Sequence, residues 1–314
     1  MRKVLYLSHA TPEVYAIIGA AVPQGFQLLT LERESDDERR EKLASCEVVI
    51  VAASGFRKAL IEAARRLELV HHQGVGWQDT TDHALLREKG IPLAFTPEGT
   101  TIGVAEHTVL LILAALKRLP YADAELRQGR FHINALRPVS RELAGMTVGY
   151  LGMGRIGQAV AERLAPFGTH GIFFDPQVSS HSGLERRTLQ EVLSEADVVT
   201  LHLPLSPETR HLMNRDNFAR MKPGAFLINA ARGGLVDERA LVEALKSGRL
   251  AGAALDVFEE EPVRAGHPLA GLPNVVLTPH IAAGTRDALA TKMKVIFENV
   301  QRFYRGEPLR NRAF

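Results

Sequence analysis

Residues 147–160 read Thr147-Val-Gly-Tyr-Leu-Gly152-Met-Gly154-Arg155-Ile156-Gly157-Gln-Ala-Val160. A short apolar run ends at Leu151, a Gly-x-Gly-x-x-Gly turn follows, and an amphipathic stretch continues from it. Glycines at that spacing allow a tight turn, close approach of a pyrophosphate and packing of helix on strand. The segment therefore predicts a strand, a phosphate-binding turn and a helix, with Gly152, Gly154, Arg155, Ile156 and Gly157 as cofactor contacts. The next apolar run ends in Phe173-Phe174-Asp175, 18 residues after Gly157. An acid there accepts hydrogen bonds from an adenosine ribose and repels a 2′-phosphate, which predicts NAD rather than NADP.

Outward from this turn, short β-branched runs alternate with charge-flanked amphipathic stretches, the pattern of a parallel sheet covered by helices on both faces. Six strands are expected downstream: Thr147–Leu151, Gly171–Asp175, Val198–His202, Ala225–Asn229, Gly252–Val257 and Val275–Thr278. Helices Ile156–Pro166, Asp216–Met221 and Glu238–Ser247 fall between them. Upstream, Lys3–Ser8, Phe26–Leu31, Val48–Ala52, Leu67–His72 and Pro92–Thr96 read as strands, and Asp36–Ala44, Arg57–Arg66 and Thr81–Lys89 as helices. The fold class is α/β, with two doubly wound parallel sheets. A turn-rich linker, Thr96–Thr101, leads into a long apolar helix from Val104 to Leu119. A last helix reaches Tyr304 and is assigned back to the first unit, with Gly99 and Gly284 as hinges. The expected division is 1–98 with 284–314 in one domain and 99–283 inserted between them.

The 314 residues include 38 Lys and Arg, 36 Asp and Glu, and a single cysteine. Two domains of ordinary size fit that length. The signs are mixed along the chain, so nucleic acid and anionic membranes have no compositional support as partners. Cys46 can form no intrachain disulfide and reads as a small buried hydrophobe. The longest uncharged stretch, Val14 to Leu31, is broken by Pro23 and Gly25 and is no spanning helix. The basic start is followed by too short an apolar run for a signal peptide, so the expected location is cytoplasmic.

Three residues carry the chemistry. Arg232 follows the strand ending at Asn229, Glu261 the strand ending near Val257, and His280 the strand ending at Thr278. All are expected at carboxyl ends of parallel strands, the edge where open α/β sheets bind ligands. A guanidinium there would clamp a carboxylate and polarise a carbonyl, an imidazole would pass a proton, and a carboxylate would orient the imidazole and favour its protonated form. That set suits interconversion of 2-oxo and 2-hydroxy acids. Adjacent His71 and His72 point to opposite strand faces and cannot form a metal pair. His107 and His202 read as structural. No metal site and no nucleophile turn is expected.

Gly152–Gly157, His202-Leu203-Pro204-Leu-Ser-Pro-Glu-Thr209, Asn229-Ala230-Ala231-Arg232-Gly-Gly-Leu-Val-Asp237, Leu255-Asp256-Val-Phe-Glu-Glu-Glu261-Pro262 and Thr278-Pro-His280-Ile-Ala282-Ala resemble the D-isomer-specific 2-hydroxyacid dehydrogenases from end to end. The resemblance implies a Rossmann NAD-binding domain inserted in a smaller flavodoxin-like substrate domain, with the active site between them. It implies Arg232, Glu261 and His280 as the catalytic trio. NAD contacts would come from Leu203, Pro204, Thr209, Ala230, Ala231, Asp256, His280 and Ala282. The backbone amides of Gln73, Gly74, Val75 and Gly76 would take the substrate carboxylate. It further implies a homodimer built on the helix Val104–Leu119. Formate dehydrogenases of this kind carry Gln where Glu261 stands, which argues against formate. The loop Gly74–Asp82 has one residue more than the usual pattern, Phe131 replaces a common Trp, and the absence of lysine from Gln73–Gly76 counts against phosphite. No basic cluster near Gln73–Asp82 awaits a phosphorylated substrate. The pocket walls are expected to include Trp77 and the linker Glu98–Thr101. The alternative is a dinucleotide-sensing binding protein, similar to transcriptional corepressors of the same architecture.

Overall fold

Runs that are apolar on both faces form the inner strands, because a parallel sheet covered by helices leaves neither face in water. The computed structural model describes residues 1–52 and 54–314. It divides into two units, Met1–Thr100 with Gly284–Phe314, and Thr101–Ala283.

In the first unit the order is β1 (Arg2–Tyr6), α1 (Pro12–Ala20), β2 (Phe26–Leu29), α2 (Asp36–Leu43), β3 (Val48–Val51), α3 (Lys58–Ala63), β4 (Leu69–His72), α4 (Trp77–Thr80), α5 (His83–Glu88) and β5 (Leu93–Phe95). The sheet order is β2-β1-β3-β4-β5, all parallel, the flavodoxin-like winding. All four residues of β3 are buried, as are all four of β4, including His71 and His72. Burial pushes the His71 imidazole down to about 3, so it sits neutral, with Nε2 2.9 Å from Asn299 Nδ2. Asn299 belongs to the helix Arg286–Tyr304, which packs Met293, Ile296, Phe297 and Val300 against this sheet. Beyond it, Phe95 N–H donates to Asn311 (3.0 Å) and Ala313 N–H to Leu93 (2.8 Å), extending the edge at β5. Cys46 is buried among apolar side chains.

The second unit runs α6 (Thr100–Lys117), α7 (Leu119–Arg127), β6 (Thr147–Leu151), α8 (Arg155–Leu164), β7 (His170–Phe174), β8 (Glu185–Arg186), α9 (Leu189–Glu195), β9 (Val198–Leu201), α10 (Arg215–Arg220), β10 (Ala225–Asn229), α11 (Glu238–Lys246), β11 (Leu250–Leu255) and β12 (Val275–Leu277). Its seven parallel strands are ordered β12-β11-β10-β9-β6-β7-β8, the Rossmann order with one further strand. The further strand is β12, at the edge beyond β11; β8, absent from the six expected strands, is a two-residue edge pairing with no apolar run to announce it. The long helix starts at Thr100 rather than Val104 and stops at Lys117 rather than Leu119. Arg118 is left-handed (φ 54°) and α7 restarts beyond it with Pro120 in its first turn. By length and composition α6 could cross a membrane, yet half of it is buried, with Leu111, Ile112 and Leu116 packed against the sheet.

Candidate active site

The glycine turn sits where β6 meets α8. Gly152 is left-handed (φ 102°), and a Cβ there would lie 2.7 Å from the His202 carbonyl carbon; one at Gly157 would lie 2.3 Å from the Gly152 oxygen. A side chain at Gly152 would push the turn off the end of β9, and one at Gly157 would push α8 off the turn. Gly154 differs, because a Cβ there would meet nothing within 4 Å. It is also the N-cap of α8 and supplies no capping side chain. Open space over Gly154 and uncapped amides at a helix start suit the pyrophosphate of a dinucleotide. Asp175, just after β7, accepts from the amides of Met153 (2.7 Å), Gln177 (2.7 Å) and Val178 (2.9 Å). Burial opposes its charge, but those amides outweigh burial and hold the carboxyl below its ordinary range. The acid is thus ionised and also ties the glycine turn to the end of β7. These residues fit NAD.

Three neighbouring strands, β10, β11 and β12, end in register at Asn229, Leu255 and Leu277, and each is followed by one of the three chemical residues. After β10, Asn229 accepts from Ala231 N–H (3.0 Å) and donates to the Arg232 carbonyl (2.9 Å), which shapes the turn presenting Arg232. Arg232 Nη1 donates to the Ala231 oxygen (2.7 Å). After β11, Glu261 accepts from Phe258 N–H (3.0 Å) and lies 2.7 Å from His280 Nδ1. Burial of Glu261 works against its charge, but the bonds from His280 and Phe258 hold the carboxyl below its usual value.

After β12 the backbone turns sharply at His280, which is left-handed (φ 52°). The conformation is costly for a residue with a side chain, and Asp256 holds it in place. The Asp256 carbonyl accepts His280 N–H (2.8 Å). Its carboxylate accepts Thr278 Oγ1 (2.6 Å), Ile281 N–H (2.9 Å) and Ala282 N–H (2.9 Å). Thr278 spends its proton on Asp256, so it accepts from His107 Nε2, 3.0 Å away. Burial of Asp256 opposes ionisation, but His107, Thr278 and the two amides hold its carboxyl down. His107, expected to be merely structural, therefore belongs to the frame of the site. Its contact lies 171 residues along the chain, and no local motif signals it.

The remaining expected contacts are more varied. Leu203 is buried and Ala282 is held by Asp256. Thr209 accepts Ser206 N–H and donates to the Pro204 carbonyl, both at 2.7 Å, so it shapes its own turn. His202 donates its backbone N–H to Leu151 (2.7 Å), and burial brings its imidazole to about 3. In the loop after β4, Gln73 N–H is spent on the Val51 carbonyl (2.8 Å) and Gly74 N–H on His72 Nδ1 (3.0 Å). Of the four amides expected to take a carboxylate, Val75 and Gly76 have no protein acceptor among the described residues. Trp77, expected as a pocket wall, packs edge-on against His83 and Phe314 within the first unit. A cavity of about 530 Å³ opens beside Ser8, Arg39, Ser54 and Arg57. None of the three chemical residues lines it, and its buried cation, Arg39, is already paired with Glu34 and Asp36. No cluster of metal-ligating side chains occurs among the described residues.

Residues 109–282 match the model of the D-isomer specific 2-hydroxyacid dehydrogenase NAD binding domain. The chain is 40% identical over 281 residues to D-3-phosphoglycerate dehydrogenase of Methanocaldococcus jannaschii, covering 88% of this chain and 53% of that protein. The chain spans about half the length of the curated relatives it matches. Among solved structures, a protein from Thermus thermophilus aligns over 100% of both chains with 34% identity and a TM-score of 0.89. NAD-dependent formate dehydrogenase from Staphylococcus aureus, in complex with NAD, aligns over 99% of this chain and 98% of its own with 30% identity and a TM-score of 0.88.

Proposed function

The chain belongs to the D-isomer-specific 2-hydroxyacid dehydrogenase family, and from that premise we propose that it is an NAD-dependent oxidoreductase interconverting a small 2-oxo acid and the D-2-hydroxy acid. The observation that carries this reading is the 2.7 Å pairing of His280 Nδ1 with Glu261, one strand end away from Arg232. With Nδ1–H given to the carboxylate, Nε2 is the nitrogen that gives a proton to a substrate oxygen or takes one from it. Arg232 is assigned to the substrate carboxylate and to polarising the adjacent carbonyl. In the first unit, the unengaged amides of Val75 and Gly76 are assigned to binding an acid's carboxylate. Bound NADH supplies the hydride. The ionised Asp175 supports a preference for NADH over NADPH, because a 2′-phosphate would bring further negative charge to it. A cytoplasmic homodimer completes the reading. The dimer is supported by exposed apolar side chains on and after α6 and α7, among them Leu110, Leu119, Leu126, Phe131 and Ile133.

Loss of NADH absorbance across 2-oxo acids with side chains from hydrogen to aromatic tests the proposal, with NADPH in parallel and His280→Ala as control. Turnover that prefers NADH and disappears in His280→Ala while NADH still binds is the expected result. Near-normal turnover by His280→Ala would overturn the acid–base assignment. No turnover with any acid would overturn the substrate class.

A further inference from the structure

We propose that Glu238 and His267 form a second histidine–carboxylate pair that positions Glu261 and, through it, His280; this rests on the reading of His280 as the acid–base group. Glu238 opens α11, directly after its N-cap Asp237. One carboxylate oxygen accepts Glu259 N–H (2.9 Å) and the other lies 3.0 Å from His267 Nε2. Both side chains are largely buried, at 13% and 18% exposure. His267 Nδ1 accepts Leu269 N–H (3.4 Å), so the ring proton is on Nε2 and is donated to Glu238. The His267 ring also meets the Phe258 ring edge-on, with centroids 5.9 Å apart.

The peptide joining Phe258 to Glu259 is thereby gripped from two sides. Glu238 takes its N–H, and Gly233, beside Arg232, lies so close that a Cβ there would overlap the Phe258 carbonyl at 1.9 Å. The N–H of Phe258 itself donates to Glu261 (3.0 Å). Glu261 and His280 are 35% and 51% exposed, so packing alone does not hold them. Their 2.7 Å contact depends on where the backbone of 258–261 is placed, and Glu238 is the buried anchor of that backbone. Misplacement by about 1 Å is enough to cost up to about a hundredfold in rate, which makes such an anchor part of the chemistry without its touching substrate.

The test compares Glu238→Ala, Glu238→Gln and His267→Gln in the full chain, each alone and with Glu261→Gln, reading kcat, KM and NADH affinity. Glu238→Ala is expected to lower kcat about tenfold, with KM and NADH affinity within about twofold of wild type. Glu238→Gln keeps an oxygen for Glu259 N–H but sets its NH2 against the Nε2–H of His267, so it should recover only part of that loss. Should Glu238→Ala fold poorly, His267→Gln, which leaves the Glu259 bond in place, should show a smaller loss of the same kind. In the Glu261→Gln background these losses should vanish, because a residue acting through Glu261 has nothing left to act on. Equal losses in both backgrounds, or wild-type kcat in Glu238→Ala, would overturn the proposal. The low-field Nδ1–H proton resonance of His280 gives a readout that needs no turnover. It should be present in wild type and Glu238→Gln and broadened away in Glu238→Ala. Its persistence in folded Glu238→Ala overturns the positioning role, whereas absent turnover in wild type sinks only the assigned reaction.

Discussion

Replacing Asp256 by Asn exchanges one oxygen for an NH2 group and removes one buried charge. In the native site one oxygen accepts Thr278 Oγ1 and Ile281 N–H, and the other accepts Ala282 N–H. The amide fits in neither orientation, since its NH2 must face the N–H of Ile281 or that of Ala282. A buried donor left without an acceptor costs about 1–3 kcal/mol. The remaining bonds weaken as well, because charge-assisted bonds are roughly twice as strong as neutral ones. Holding His280 left-handed costs about 1 kcal/mol or more in wild type and variant alike, so it cancels and the loss is that of the bonds. A total near 3 kcal/mol, in a unit of about 180 residues, corresponds to about 6–12 °C in Tm.

Differential scanning calorimetry of wild type and Asp256→Asn from pH 3 to 8 measures this. The Asp256 carboxyl is held below its ordinary value, so its folded state binds a proton less readily than the unfolded chain. Its contribution is therefore complete above the unfolded value of about 4 and fades as pH falls through the folded value. The Tm gap should be constant from pH 6 to 8 and narrow below about pH 4. A variant within about 2 °C of wild type at pH 7, or a gap that widens toward acid, would refute the reasoning.

Gly154→Ala should leave Tm within about 1 °C, because the new methyl meets no protein atom, yet weaken NADH about tenfold or more in a fluorescence titration by filling the space assigned to the pyrophosphate. Gly233→Ala should do the opposite: its methyl overlaps the Phe258 carbonyl, so calorimetry should show a Tm lower by several degrees and steady-state assays a turnover reduced more than about tenfold. Charge placed on the apolar surface by Leu126→Glu with Phe131→Glu should halve the mass seen in sedimentation velocity while leaving far-ultraviolet circular dichroism unchanged.

The strands that carry Gly152, Asp175, Arg232, Glu261 and His280 are readable because each is a continuous apolar run, and the residue that matters stands within a few positions of its end. Local spacing therefore decides where these groups lie. The end of α6 escapes such a reading because Leu119 is apolar in either helix, and only the left-handed Arg118 separates them. Strand β8 carries Glu185 and Arg186, whose exposed side chains give no period to read. His107 and Thr278, or Glu238 and His267, meet across 171 and 29 residues. Tertiary packing alone creates those contacts, and a histidine on an apolar helix looks the same with or without one.

The side chains assigned to the chemistry are half-buried or exposed, and the groups at the strand ends that hold their turns are buried. Asn229 and Asp256 have no exposed surface, and each stands at or immediately after the last residue of a fully paired strand. A buried amide or carboxylate is tolerated only if its bonding capacity is used. Asn229 spends its side chain on the turn that leads to Arg232, and Asp256 spends its own on Thr278, Ile281 and Ala282. The cost of leaving either unsatisfied is what makes these turns stiff, so the sheet's rigidity passes to loops that have little core of their own. A buried Asn or Asp at the carboxyl end of a central strand is thus a sequence sign of a fixed turn, and the residues a few positions beyond it are where chemistry should be sought.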